Sequence, residues 1–239
     1  MIIVKKNKLG LVAVQKWYPT NVKGIDCIHI TMYKQVDLQT KFPLCFFKEK
    51  SYTLHSNIVV PEEEMLKKFS STIRNEIRRA EKDGSEYTEN ESLENFLNVF
   101  NDFAFHKGLA SQTLDNLNSF GSNLVLTSTS INKKITAVHS YLIDFETKKV
   151  RLLHSATPRF SETLDRNMIA RSNKYLHYMD MKKFKDEGFE VYDWGGIAYG
   201  SDDKSLQGIN KFKESFGGQL IEQLNLYSIL YYLILKLFK

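Results

Sequence analysis

Three early stretches, residues 11–17, 27–33 and 52–60, concentrate β-branched and aromatic residues between the turn formers Pro19, Gly24 and Pro43, a pattern that predicts strands. Pro61 followed by Glu62, Glu63 and Glu64 then opens a helix, because proline suits the first turn and acids suit the positive end of the helix dipole. Met65, Phe69, Ile73, Ile77 and Ala80 recur at helical spacing and predict one helix with a single buried face, ending at Gly84. A second helix is predicted from about Glu91 to Lys107 on Leu93, Phe96, Leu97, Phe100 and Ala104, with Gly108 as its stop and a short third helix over 114–120. From residue 123 the spacing changes to strands over 123–129, 135–144 and 149–156, which an antiparallel meander satisfies most simply. A polar loop over 157–166, a helix ending at Gly188 and the strand 189–194 complete a strand, helix, strand unit, whose outer strands normally lie parallel through a right-handed crossover. The order predicts an α/β (α+β) protein with a mixed sheet.

Composition narrows the function classes. With 42% hydrophobic and 26% charged residues over 239 positions, the chain is a folding sequence with a sizeable core. A formal charge of +5 favours anionic small ligands and falls short of the basic extreme of nucleic-acid binders, so no nucleic-acid partner is expected. Cys27 and Cys45 form no CxxC pair and are expected to be free thiols, and the N-terminal residues lack the apolar core of a secretion signal, so a cytoplasmic location is expected. The apolar run 226–238 is shorter than the ~20 residues of a spanning helix. It is expected to be a buried terminal strand and helix, the alternative being a weak membrane contact tipped by Lys236 and Lys239.

Candidate chemistry sits mainly in the last hundred residues. Around Asn167-Met168-Ile169-Ala170-Arg171-Ser172-Asn173, the small side chains of Ala170 and Ser172 allow backbone amides to approach a diphosphate, and Arg166 and Arg171 add charge. Asp193 ends the apolar row Phe189, Val191 and precedes Gly195 and Gly196, as either a proton acceptor for an amine or a turn former. Ile209, Phe212 and Phe216 make a short helix that carries Lys211 and Lys213, either of which suits a phosphate. Arg74, Arg78 and Lys82 form a basic row beside the first helix's apolar stripe, either solvated or facing a diphosphate. The six histidines show no metal-ligand spacing, so no metal is expected, and no GxSxG elbow suggests an acyl-enzyme. His154 is either a core histidine or a group at the end of its strand.

Taken together, HSAT, IARSNKYLHYMDMKKFKDEGFEVYDWGGI and LQGINKFKESFGG resemble the FemAB-like branch of the GNAT acyltransferase superfamily, and STIRNEIRRAEKDG resembles that branch's N-terminal helix. The resemblance covers most of residues 71–84 and 152–218. It implies a GNAT-like mixed sheet in which two parallel strands, here 149–156 and 189–194, splay apart around the acyl arm. It further implies a shortened GNAT-like acceptor half over 1–88 and an acyltransferase core over 89–239. The superfamily's pyrophosphate loop, Gln/Arg-x-x-Gly-x-Gly/Ala, aligns with Asn167 to Ser172 through three departures: Asn for Gln/Arg, Ala for Gly and Ser for Gly/Ala.

The implied site is coenzyme A against Ser155, Arg166, Ile169, Ala170, Arg171, Ser172 and Asn173, and acceptor against Arg74, Arg78, Trp194, Gly195, Lys211 and Lys213. His154 and Asp193 are the implied catalytic groups, placed opposite one another. The implied activity is transfer from acyl-coenzyme A to the amine of a nucleotide-linked amino sugar in cell-surface polysaccharide synthesis. The alternatives are an aminoacyl-tRNA-dependent transferase acting on a peptidoglycan precursor, and a non-catalytic module that binds anionic glycan precursors.

Overall fold

The computed structural model describes residues 1–8, 10–158, 160 and 165–237. Four strands come first: β1 (Ile2–Lys8), β2 (Leu11–Trp17), β3 (Thr31–Val36) and β4 (Phe47–Asn57). Helices α1 (Glu62–Lys68) and α2 (Ser71–Lys82), strand β5 (Glu86–Glu89), and helices α3 (Leu93–Lys107) and α4 (Leu114–Asn118) follow. The meander β6 (Leu124–Ile131), β7 (Lys134–Asp144), β8 (Lys149–Ala156) leads through α5 (Arg166–Asp186) to β9 (Val191–Gly196). The described chain ends with α6 (Lys204–Glu214), β10 (Gln219–Tyr227) and α7 (Ile229–Leu237).

All these strands join one mixed sheet of ten, in the order β1-β2-β3-β10-β4-β9-β8-β7-β6-β5. The expected meander is present as antiparallel β6–β7 and β7–β8 pairs, and the expected crossover as a parallel β8–β9 pair. Strand β10 lies antiparallel between β3 and β4, so the sheet runs without a break across residue 88, where the two halves were expected to divide.

Several local outcomes differ from the periodicity. The predicted single helix is two, because Phe69 takes an extended backbone and Ser70 caps α2 by accepting from the Ile73 amide. The apolar stripe continues across the break, since Met65, Phe69, Ile73 and Ile77 are all buried in one core with Tyr178, Met181, Phe184 and Trp194. Residues 24–28 form a 3-10 turn and the strand begins only at Thr31. Cys27 and Cys45 are joined in a disulfide with Cα atoms 6.1 Å apart, not free as expected. The disulfide ties that turn to the segment before β4, and the cysteines therefore no longer argue for a reducing compartment.

The terminal apolar run divides into two fates. Leu224 and Leu226 of β10 are buried with Val22, Tyr33, Val36 and Phe46 in a second core. Helix α7 buries no residue, which corrects the expectation of a buried terminal helix, and no helix among the described residues is long and apolar enough to cross a membrane. Phe238 and Lys239 lie outside the described residues.

Because β10 pairs with both β3 and β4, truncating its buried side chain removes packing from each at once. Leu226→Ala is expected to lower the unfolding free energy by about 2–5 kcal/mol, measured by urea denaturation; a loss below about 1 kcal/mol would mean that this strand is not part of the cooperative core.

Candidate functional site

Strands β8 and β9 pair in register only at Lys149–Val191, Val150–Tyr192 and Arg151–Asp193. Beyond that point they part. The cause is visible in β8, where a bulge shifts the β7–β8 register between Ser140 and Tyr141, so that an extra β8 residue bends the strand away from its parallel neighbour. On the β9 side, Gly195 has φ +76°, and a Cβ there would stand 2.9 Å from the Leu152 carbonyl oxygen, so only glycine fits this corner. The wedge expected between the two strands is therefore present, with its apex at residues 151 and 193.

The apex is held by charge. Asp193 is fully buried, and its Oδ2 accepts from Arg151 Nη1 at 2.6 Å. Its Oδ1 accepts from the Gly195 amide at 2.9 Å and from the Thr53 hydroxyl, while His55 Nε2 stands 3.6 Å from Oδ2. Burial alone would raise this carboxyl, but Arg151 and His55 outweigh it and hold Asp193 well below the usual carboxylate range. A carboxylate so tightly kept as an anion is a poor proton acceptor near neutral pH. Its contacts fix Arg151 and the Gly195 turn. It does not face His154, since its register partner is Arg151, while His154 lies opposite Ser140 on the far side of the bulge.

A cavity of about 460 Å³ opens at the wedge, lined by Arg151 to Ser155, Trp194 to Gly196 and Lys213, and by Lys6, Gln15, Trp17 and Lys34 from the strands across the sheet. Gln112, Asn116 and Phe120 complete the wall. Lys6, Lys34, Arg151 and Lys213 bring positive charge to it. Strand alternation puts Lys34 on the face opposite Tyr33, and a bulge of β3 opposite β10 returns Val36 to the Tyr33 side: the register jumps from Tyr33–Leu226 to Val36–Leu224, and Gln35 takes φ +59°. Tyr33 and Val36 thus stay in the core while Lys34 turns to the other side and sits 4.2 Å over the Trp17 ring. Burial, reinforced by Arg151 and Lys6, brings the Lys34 ammonium down to about 8. Burial, with Arg151, does the same to Lys213, also to about 8, while its Nζ donates to the Gly196 carbonyl at 2.7 Å. Trp17, whose buried indole N–H has no partner among the described residues, lines the same wall. Partly buried cations and an unmet donor around one space suit a ligand rich in anionic oxygen acceptors.

His154 is on this wall, with Nδ1 2.7 Å from the Ser140 hydroxyl and its ring edge against Phe100 at 4.8 Å. Burial, with Lys6, pulls its pKa down to about 4, so the ring is neutral at physiological pH. Ser155 also lines the cavity and donates to Asn173 Oδ1 at 3.3 Å. Asn173 Oδ1 in turn lies 3.1 Å from His139 Nε2, the outer end of a buried chain through Asp180, Tyr141, Tyr192 and His177. That chain secures α5 to the sheet.

The remaining predicted residues lie elsewhere. Trp194 is fully buried and donates from Nε1 to the Ser56 hydroxyl at 2.9 Å, so its indole belongs to the core. Lys211 is exposed and outside the cavity. Arg74 and Arg78 line a separate hollow with Glu63, Glu81 and Tyr178, and Arg74 donates to the Phe69 carbonyl, closing the end of α1.

The segment aligned to the pyrophosphate loop lies inside α5, beginning one residue after its start, and residues 161–164 ahead of it lie outside the described residues. Asp165 caps this helix by accepting from the Asn167 and Met168 amides, which places a carboxylate where a diphosphate was expected. Ser172 is buried against Thr136 and Ser85, and Arg171 Nε pairs with Asp83 at 2.6 Å. Arg166, Ile169 and Ala170 line a small hollow of about 240 Å³ with Phe160. Of the predicted residues, the structure brings together His154, Ser155, Gly195, Lys213 and the backbone of Trp194; Lys6, Gln15, Trp17, Lys34 and Arg151 join them without having been predicted.

No family model and no curated protein matches the sequence. Solved structures with the same fold do exist. FemX superposes with a TM-score of 0.70 at 13% identity, covering 98% of this chain and 85% of that one. The C-terminal domain of a putative lysylphosphatidylglycerol synthetase from Agrobacterium fabrum gives 0.58 at 14% identity over 87% of this chain and 72% of that one. L-PGS from Bacillus licheniformis gives 0.58 at 11% identity, covering 98% and 85%. At such identities the likeness concerns the fold: this chain has the GNAT-like mixed sheet, parted at one parallel pair, that the sequence resemblance implied.

Proposed function

We propose that this protein is a transferase that moves an acyl group through the β8–β9 wedge onto the amine of an acceptor anchored by phosphate in the adjoining cavity. The observation that carries the reading is the convergence of Lys6, Lys34, Arg151 and Lys213 at the point where the two strands part. A nucleotide-linked amino sugar, as used in cell-surface polysaccharide synthesis, has the two phosphates and the compact sugar that such a cavity suits.

The chemistry asks little of the protein beyond position and charge. A neutral amine attacks the carbonyl carbon, the new C–N bond forms, and the ester or thioester bond to the carrier breaks. Amides on the unpaired edge of β8 beyond Arg151 are the donors proposed for the oxyanion. The departing ammonium proton goes to water, because a His154 imidazole held down to about 4 by burial is too weak a base to keep it.

Two donors fit this description. Acyl-coenzyme A would lay its diphosphate beside Arg166 at the start of α5, whereas an aminoacyl ester on tRNA needs no diphosphate site there. One observation favours the second: Asp165 already occupies the amides at the tip of α5. FemX and L-PGS share the fold at 13% and 11% identity, and a shared fold does not choose between the two donors. Micromolar binding of coenzyme A in isothermal titration is expected for the first donor. Amide formation from charged tRNA without coenzyme A binding is expected for the second. Failure with both donors, with anion binding intact, would replace the transferase by a module that only binds anionic glycan precursors.

Anion binding has its own pH signature. Lys34 and Lys213 are cationic below about 8 and lose charge above it, so affinity for pyrophosphate or a nucleoside diphosphate is expected to be high at pH 6.5 and to fall as pH rises through 8. Quenching of Trp17 fluorescence reads it directly. Lys34→Met is expected to weaken binding roughly tenfold at pH 7, the worth of one hydrogen bond to a charged group, and to flatten the pH dependence. Binding that is unchanged by this substitution would remove the cavity from the acceptor site. His154→Gln, which keeps the hydrogen bond to Ser140 available, is expected to change kcat less than about threefold with little change in acceptor affinity; a loss of about tenfold or more would make His154 the proton acceptor in place of water.

A further inference from the structure

Helix α7 presents an apolar surface that nothing in the described chain covers. Its sequence, ILYYLILKL, has one charge, Lys236, and none of its residues is buried. Leu233 is 51% exposed and Leu237 79% exposed, with Ile229 and Leu230 close behind. The helix is nevertheless well anchored. Tyr232 stacks on Phe47 at 4.2 Å, the Tyr232 amide donates to the Ser228 carbonyl, and Gln15 of the cavity wall donates to the Tyr231 hydroxyl at 3.3 Å. The tyrosines thus hold the inner side while the leucines are held outward. Beside the helix, the 3-10 turn Gly24–Ile28 exposes Ile25 (60%) and Ile28 (65%), so the apolar surface continues beyond α7.

Charge and size identify what covers this surface. Its cations are Lys236 on the helix and Lys23 at the start of the turn, both exposed. Among the described residues of the helix and the turn the one acid, Asp26, is buried and already accepts from Lys16 at 2.6 Å and from the Tyr33 hydroxyl. A second copy of the chain is a poor fit, because a nine-residue helix is about 14 Å long and, with the turn, offers on the order of 300 Å², against ~800 Å² per partner in a stable interface. An apolar face with lysines at its margin and no free acid has the make-up of a segment that lies in the headgroup region of an anionic bilayer.

We infer that α7, with the turn at Ile25 and Ile28, docks this protein onto an anionic lipid surface. The helix lies in the interface without crossing it, and the Gln15–Tyr231 contact fixes the docked face next to the cationic cavity. The inference stands independently of the transferase reading, since it needs no donor or acceptor.

The test is flotation of the whole chain with vesicles of phosphatidylcholine alone or with one quarter phosphatidylglycerol. Partition onto the anionic vesicles is expected to exceed that onto neutral ones at least tenfold and to weaken with salt. The double substitution Leu230→Asp, Leu233→Asp is expected to abolish it. Because both side chains are exposed, the thermal midpoint should not move, and circular dichroism checks that the fold is kept. Three outcomes overturn the inference: no partition onto either vesicle, equal partition onto both, or a solution dimer that the same double substitution dissociates, which would make a second copy the occupant.

Discussion

The buried pair between Arg151 and Asp193 is the constraint on which the site depends. Two charges withdrawn from water are costly unless each is met by good geometry, and here the carboxylate meets it with a guanidinium, a hydroxyl and a backbone amide. The pair bridges the last hydrogen-bonded register position of two parallel strands, so it fixes where pairing stops. It also neutralises only part of the positive charge nearby. Lys6, Lys34 and Lys213 remain around the cavity without a carboxylate of their own among its lining residues, which is the electrostatic condition for attracting a phosphate.

Two backbone irregularities convert an ordinary sheet into a shaped site. The β8 bulge opens the wedge, and the β3 bulge lets Tyr33 and Val36 fill one core while Lys34 stays on the cavity side. Both are one-residue insertions in a ladder, and both lie next to the cavity. The bulges sit on opposite sides of the central strands, so the cavity is assembled from early and late parts of the chain.

Much of the frame could be read from residue spacing. The meander, the crossover helix α5 and the helix α3 ending at Gly108 are set by local periodicity and by glycine stops, and they appear close to where the pattern puts them. The wedge was anticipated from the resemblance, and Gly195 from its place after Asp193. What could not be read is non-local. Lys34 looks like one polar residue in a buried strand, and nothing in its neighbourhood announces the bulge. Arg151 and Asp193 lie 42 residues apart, and only the parallel register reveals them as partners. The split between α1 and α2 was hidden because the apolar stripe continues through it. The place of the loop motif was also hidden: Asp165 is a good helix cap, and the small residues after it lie in the first turns of α5.

The position of β10 shapes how the molecule comes to exist. Its partners β3 and β4 are adjacent in the sheet only through it, and they are separated from it by some of the longest sequence intervals in the chain. Until residue 227 has left the ribosome, β3 and β4 each present an open edge and the second core lacks Leu224 and Leu226. The crossover region, by contrast, can gather from contacts that are nearer in sequence. A nascent chain at that stage would carry a half-built anion site, with Lys34 already beside Trp17 but Lys213 not yet packed, and two exposed strand edges open to wrong pairing.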